Sequence, residues 1–389
     1  MLGAPSATTY PPTGRRTPMT IDQRHTAEHF EVSWTLDRTT PIQFVAPDGE
    51  LTEAGRRYDI DPQLARTLYR DMFRARRLDR EALSLQRQGE LGLWLQSWGQ
   101  EAAQVGSMHA LDSDDFVFPS YREHAAAMVR GVTPTQLLTQ WRGATHAGWD
   151  PADYRFHFYS LVLGTQTLHA TGYAMGCRLD GGDTVVATYF GDGAASQGDV
   201  SEAFNWAAAR SLPVLFFCQN NQWAISTPPE LQYRAPVYQR AAGFGLRSFY
   251  VDGNDALAVH EVTRVAAQSI RDGGGPALVE AVTFRMAGHS TSDDPGKYRD
   301  PAELDAWQLR DPLLRLRHVL VTLGTPNSFF TELDDEAEAL AVEVRAACRA
   351  IEPPDLDRSF ADAYVQPHVL VDKERLSHRI FVESMRVGV

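Results

Sequence analysis

Two short motifs in this chain combine residue types suited to hard-cation and phosphate chemistry: Gly191-Asp192-Gly193 and Asn220-Asn221, separated by residues 194–219, 26 in all. Each follows an apolar run with strand character, Thr184 to Phe190 (TVVATYF) and Pro213 to Gln219 (PVLFFCQ), and a helical pattern from about Asp199 to Arg210 lies between. Strand, helix, strand is a βαβ unit, which sets two parallel strands side by side with both turns at their carboxyl edge. One carboxylate and one amide oxygen then reach the same cation. Oxygen donors of this kind suit Mg²⁺, which completes its octahedron with phosphate oxygens and water. The spacing therefore predicts a diphosphate ligand. Glycines flanking Asp192 let the backbone approach it closely, and Ala194 to Gln197 lead toward a helix N-terminus, where the dipole favours anions. By itself Gly-Asp-Gly is also an ordinary turn; its position beside Asn-Asn gives it chemical meaning. The GxGxxG fingerprint and the Walker lysine are both absent, which disfavours a nucleotide hydrolase.

The elements that must position these turns repeat the same alternation. Arg247 to Val251, a helix from about Ala256 to Arg271, and Ala277 to Thr283 extend it, so the expected fold is α/β, a doubly wound, mostly parallel sheet flanked by helices. Ligands belong at the carboxyl ends of such strands. Upstream, residues 1–20 read as a disordered arm and 21–60, including Trp34 to Gly49, as an extended lead-in. Asp61-Pro62 supplies an N-cap and a first-turn proline, and Leu64, Leu68, Met72 and Phe73 recur at helical spacing. Arg70, Arg74, Arg76 and Arg77 take the other side of that helix and read as a solvated basic face. Gly99 to Leu111 and the stretch from Thr133-Pro134 to about Trp141 read as further helices. After Thr283 comes RMAGHSTSDDPGKYRDP, a long polar loop of the kind that is either functional or disordered. Helical periodicity returns over Pro312 to Leu323 and Glu332 to Ile351, then breaks at Pro353-Pro354. The expected division is thus an α/β ligand-binding domain over 61–311 and a helical region over 312–389.

Bulk properties narrow the function. With 50 Asp+Glu against 37 Lys+Arg in 389 residues, the net charge of −13 repels a phosphate backbone, so nucleic acid is not expected as a partner. Three cysteines without a CxxC pair offer no zinc knuckle or disulfide framework and fit a reducing compartment. No apolar run approaches the roughly 18 to 20 residues of a membrane span. The first residues lack the apolar core of a secretion signal, and Arg15 and Arg16 stand alone as a transit-peptide feature. The expected location is the cytoplasm, or the mitochondrial matrix in a eukaryote.

Three longer segments, YFGDGAASQGDVSEAFNWAA, FFCQNNQWAISTP and GHSTSDDPGKYR, resemble the alpha subunits of the decarboxylating component of branched-chain 2-oxo acid dehydrogenases. The likeness runs from about Asp61 into the C-terminal region. It implies a thiamine diphosphate-binding fold in which Asp192, Asn221 and the backbone carbonyl of Trp223 hold Mg²⁺. Tyr121 and Arg122, in FPSYREH, match diphosphate contacts beside Gly191, Gly193 and Ala194, and a guanidinium suits phosphate oxygens because its planar donors bind bidentately. The other reading of Arg122 is a salt bridge to a neighbouring carboxylate. Leu161 and Leu163 match positions whose backbone meets the aminopyrimidine. His289 matches a loop histidine at the reacting end of the cofactor that assists acyl transfer; the alternative is a plain loop histidine bonded to Asp293 or Asp294. Ser160, Thr165 and Gln166 match ligands of a structural K⁺ in some relatives. His109 and His169 read as structural.

The resemblance further implies a beta subunit supplying the activating glutamate, an α₂β₂ heterotetramer, a small 2-oxo acid as substrate, and a lipoyl-bearing transacylase core as acyl acceptor. A chain of this length has room for one sheet domain of the cofactor pair, hence half of an active site. Pyruvate or acetoin is the alternative substrate, because a methylene changes selectivity by only ~1 to 3 kcal/mol. A silent scaffold subunit is the other class, against which the joint presence of Asp192, Asn221, Arg122 and His289 argues. The sequence also departs from the relatives. Gln219 stands where arginine often precedes Asn-Asn, Trp223 where tyrosine is common, and Ser290 at a position phosphorylated in some eukaryotic relatives.

Overall fold

The computed structural model describes residues 40–354, 357–361 and 363–386. The expected arm and the first part of the lead-in, Trp34 included, lie outside the described residues. Five strands, β1 (Phe116–Phe118), β2 (Val186–Gly191), β3 (Val214–Asn220), β4 (Arg247–Asp252) and β5 (Ala277–Val282), form one sheet in the order β1-β2-β3-β5-β4. All four pairings are parallel. This is the α/β architecture expected from the alternating pattern.

The reason lies in the strand period of two. Ala187, Tyr189, Leu215, Phe217, Val279 and Ala281 face one layer of helices, while Val186, Phe190, Val214, Phe216, Cys218 and Leu278 face the other. Both faces are covered, so β3 is buried at every position. The helices Pro62–Arg87, Glu101–His109 and Ala256–Ser269 build the first layer; Thr165–Leu179, Gly198–Arg210 and Val237–Gly243 build the second.

Most helix starts sit where the capping residues put them. Asp61 accepts from Gln63 N at 2.8 Å ahead of Pro62, and Thr133 forms a full capping box with Gln136. Among the elements not foreseen are the three-residue strand β1, the helix Thr165–Leu179, the helix Val237–Gly243 and the terminal helix Val369–Arg386. The first is too short to show a period. The second carries Gly172 and Gly176 in its middle and only a weak apolar stripe.

The solvated basic face assigned to Pro62–Arg87 needs correction. Arg76 is buried, bonded to Glu101 and lying 2.9 Å from Asp311. Arg70 and Arg77 reach across to Glu336 and Glu338 at 3.1 and 3.3 Å. The apolar stripe is wider than the sequence suggested, because Leu313, Leu316, Leu320, Phe330, Leu333 and Val344 of the C-terminal helices join the same core. The lead-in is likewise tied to the sheet edge. Ile42 pairs with Val251, and Asp255 accepts from Phe44 N and Val45 N at 2.6 Å each. It also contains a short helix, Glu53–Arg57, capped by Thr52. Among the described residues no helix is long and apolar enough to cross a membrane.

Candidate functional site

Register alone brings the two motifs together. Gly191 pairs with Gln219 across β2 and β3, so the turns that follow emerge side by side at the carboxyl edge of the sheet. They open into a cavity of about 750 Å³. Its walls carry Gly191, Asp192, Gly193, Ala194, Asn221 and Trp223 from these turns, Tyr121, Arg122, Leu161 and Leu163 from the loops after β1, and His289 from the long loop after β5. Residues drawn from across the sequence thus converge.

Asp192 is buried, with Oδ2 accepting from Gln232 at 3.3 Å and Oδ1 without a hydrogen-bond partner among the described residues. Burial pushes its carboxyl up to about 6. Asn221 lies beside it, donating to Gln100 Oε1 at 3.2 Å and accepting from Trp223 N at 3.2 Å. The turn beyond holds Gln222 and Ile225 at φ of 67° and 56°, the left-handed region that non-glycine residues enter at a cost. Gly193 has no room for a side chain, since a Cβ there would stand 2.7 Å from that of Ala224. Asn220, the other asparagine, turns away and donates to Glu280 at 2.7 Å. A buried carboxylate oxygen without a donor, next to an amide and a backbone carbonyl, is a donor set that fits a hard divalent cation.

The anion end fits equally well. Arg122 is buried, yet its guanidinium meets neutral groups, the carbonyls of Gln96 at 2.7 Å and His289 at 2.8 Å and the Nδ1 of His289 at 3.5 Å. Among the described residues no carboxylate forms an ion pair with it, so the salt-bridge reading of Arg122 does not hold. A buried cation left without a counter-ion suits a phosphate group. Gln100 Nε2, also at the cavity and buried without an acceptor, is a further donor.

His289 takes neither carboxylate through its ring. Its backbone N–H donates to Asp293 at 2.6 Å, and its Nδ1 lies 3.5 Å from Arg122 Nη2. Burial, helped by Arg122 and Arg285, lowers the imidazole to about 4, so it is neutral at physiological pH. The loop carrying it is anchored by Thr291 N to Trp94 O at 3.0 Å and by Arg299 on the carbonyl of Met286 at 2.9 Å. The K⁺ candidates also gather in one turn. Ser160 Oγ donates to Val162 O at 3.1 Å, Thr165 N bonds the same carbonyl, and Gln166 Oε1 is buried without a partner.

Sequence reasoning missed Gln100, Glu123, Gln232 and Arg285, and recorded Gln219 only as a departure. Arg285 supports the asparagine turn by donating to Ile225 O at 2.7 Å. None sits at a revealing spacing, because each reaches the site from a different element. His124 was also passed over. It is buried, stacked on Trp94 at 4.1 Å, with its nitrogens 2.9 Å from Tyr159 OH and 2.9 Å from Leu95 O. Burial lowers it from 6.5 to about 3. The unfolded chain therefore takes up a proton that the folded state refuses. Stability is expected to fall as pH drops from about 6.5 toward 3, by ~1.4 kcal/mol per pH unit for this group. Denaturant melts of wild type and His124→Phe between pH 7 and 4 check this; the variant should show the shallower slope.

Comparison with known proteins gives a consistent result. Residues 69–352 match a family model described as dehydrogenase E1 component. The 3-methyl-2-oxobutanoate dehydrogenase subunit alpha of Mycobacterium tuberculosis is 42% identical over 345 residues, covering 86% of this chain and 93% of that protein. The mitochondrial 2-oxoisovalerate dehydrogenase subunit alpha 2 of Arabidopsis thaliana is 34% identical, over 87% of this chain and 75% of that protein. The pyruvate dehydrogenase E1 component subunit alpha of Bacillus subtilis is 37% identical, over 73% of this chain and 77% of that protein.

Proposed function

The chain belongs to the dehydrogenase E1 component family, and from that premise we propose that it is the alpha subunit of a thiamine diphosphate-dependent dehydrogenase acting on branched-chain 2-oxo acids. The observation that carries this reading is the meeting, in one cavity, of the half-engaged carboxylate of Asp192 and the uncompensated guanidinium of Arg122. A cation site beside an anion site is what a metal diphosphate requires.

When bound, thiamine diphosphate supplies the nucleophilic carbon and the electron sink for decarboxylation. The protein binds, orients and manages protons. Asp192, Asn221 and the Trp223 carbonyl would hold Mg²⁺, with Arg122, Tyr121 and Gln100 on the diphosphate. Leu161 and Leu163 would flank the aminopyrimidine. His289, neutral because it is buried and lies near Arg122 and Arg285, would offer a hydrogen bond at the reacting end without adding charge. Ser160, Thr165 and Gln166 would hold K⁺, bracing the loop that carries both leucines.

Leu161 and Leu163 are exposed at the cavity wall and Val162 between them is exposed too, which supports closure by a second chain. We assign that chain as a beta subunit in an α₂β₂ assembly, passing the acyl group to a lipoyl-bearing transacylase, in the cytoplasm or a mitochondrial matrix. The test is decarboxylation by the co-expressed pair with Mg²⁺ and thiamine diphosphate, comparing 3-methyl-2-oxobutanoate with pyruvate. Preference for the branched acid by roughly tenfold or more in kcat/KM is expected, tenfold being the low end for one buried methylene. Pyruvate preference would move the reading to the activity named for the Bacillus relative. Turnover by this chain alone would sink the shared site.

A further inference from the structure

The cavity contains a second buried carboxyl group to which the function above gives no task. Glu123 lines it, is buried, and follows Arg122 in the chain. Among the described residues it has no cationic partner, because the Arg122 guanidinium is turned onto the carbonyls of Gln96 and His289. Its Oε2 accepts from Arg122 N at 3.3 Å, and its Oε1 lies 2.6 Å from the side-chain nitrogen of Gln219. That separation is short for N–H···O and ordinary for a carboxyl O–H···O bond. The other end of the Gln219 amide, Oε1, is buried without a donor. Exchanging the two amide ends, which are interchangeable in shape, sets a carbonyl oxygen opposite the Glu123 oxygen and puts the amide nitrogen, a donor, at the unpartnered position.

We propose that Glu123 is a neutral carboxylic acid that donates its proton to the Gln219 carbonyl, so that the Gln219 amide nitrogen is presented as a donor to the cofactor diphosphate. Gln219 is placed for this, since it pairs with Gly191 next to the Asp192 turn. In the opposite orientation the site would show a carbonyl oxygen to an anion and keep an unpaired buried charge at Glu123, both unfavourable. Burial also pushes the Glu123 carboxyl up to about 7, in keeping with the neutral form. Glu123 is then a positioning residue, and Gln219 a binding one.

The inference rests on the thiamine diphosphate reading, and the experiment separates the two. Binding of thiamine diphosphate with Mg²⁺ to the co-expressed alpha–beta complex is measured by calorimetry for wild type, Asp192→Ala, Gln219→Leu, Glu123→Ala and Glu123→Gln. Gln219→Leu is expected to bind roughly 10- to 100-fold more weakly, the range for losing a hydrogen bond to a charged group. Glu123→Ala should weaken binding about tenfold by freeing the amide, and Glu123→Gln, which can still donate, should stay within about threefold of wild type. The infrared difference between wild type and Glu123→Gln at neutral pH should contain the carbonyl stretch of an un-ionised carboxylic acid. Should Glu123→Ala fail to fold, the other variants and the infrared band decide. Wild-type affinity in Gln219→Leu, or an ionised carboxylate band, overturns this proposal while the loss in Asp192→Ala leaves the cofactor reading standing. Absence of binding to wild type overturns both.

Discussion

Asp192→Ala is expected to abolish Mg²⁺-dependent thiamine diphosphate binding, with a loss of roughly a thousandfold, the scale for removing one partner of a buried charged contact. Among the described residues the cavity wall holds two carboxyl groups, Asp192 and Glu123, and the second is engaged with Gln219. Asp192 is therefore the one anionic side-chain ligand that those described wall residues offer a divalent ion beside the diphosphate. Asp192→Asn separates binding from folding. It keeps the shape and the bond to Gln232 but replaces a half-engaged buried anion with a neutral amide. In the metal-free protein the carboxyl titrates at about 6 rather than 3.8. A raised carboxyl pKa contributes stability below the unfolded value that is lost as pH rises through the folded one. The asparagine variant should therefore melt higher than wild type above pH 6, by at most about 3 kcal/mol, and gain nothing below pH 4. Calorimetric titration of the cofactor and chelator-treated thermal melts measure the two halves. Retained binding in either variant would remove Asp192 from the metal site.

Arg76→Ala should destabilise the fold by about 3–5 kcal/mol, the cost of leaving a buried charge unpaired. Arg76 bonds Glu101 and lies 2.9 Å from Asp311, the N-cap of helix Pro312–Thr322. Glu101 is completely buried and its other oxygen accepts from Gly99 N at 2.9 Å. Asp79 stands close by, pushed up to about 7 by burial, with the Glu101 charge adding to the shift. Without Arg76 two carboxyl groups share a site with no cation between them. Denaturant unfolding measures the effect, and adding Glu101→Gln to Arg76→Met should recover most of it, because the unpaired charge is then gone. Arg70→Ala is the surface control; its pairing to Glu336 is half exposed, and a loss below about 1 kcal/mol is expected. Damage at Arg76 should also reach the cofactor, since Gln100, next to Glu101, bonds Asn221. A stability loss no larger for Arg76 than for Arg70 would show that the network is not load-carrying.

The sequence by itself determined the features that depend on local period and turn chemistry. Continuous apolar runs such as PVLFFCQ mark strands covered on both faces, the Asp61-Pro62 and Thr133-Pro134 pairs mark helix starts, and the interval between Gly193 and Asn220 sets two turns at one sheet edge. Those turns carry the proposed metal site, so the motif and the resemblance it supports are legible in the chain alone. The tertiary structure alone decided what each polar side chain meets. Arg76 reads as a surface charge until Glu101 and Asp311 close over it, and Gln219 reads as a missing arginine until Glu123, 96 positions away, is seen beside it. Gln100 and Asn221 meet across 121 positions. Hydrophobic period is a property of neighbours in the chain, whereas hydrogen-bond partnership in a parallel sheet is set by crossover connections and packing. A one-dimensional pattern reports the first and is silent on the second.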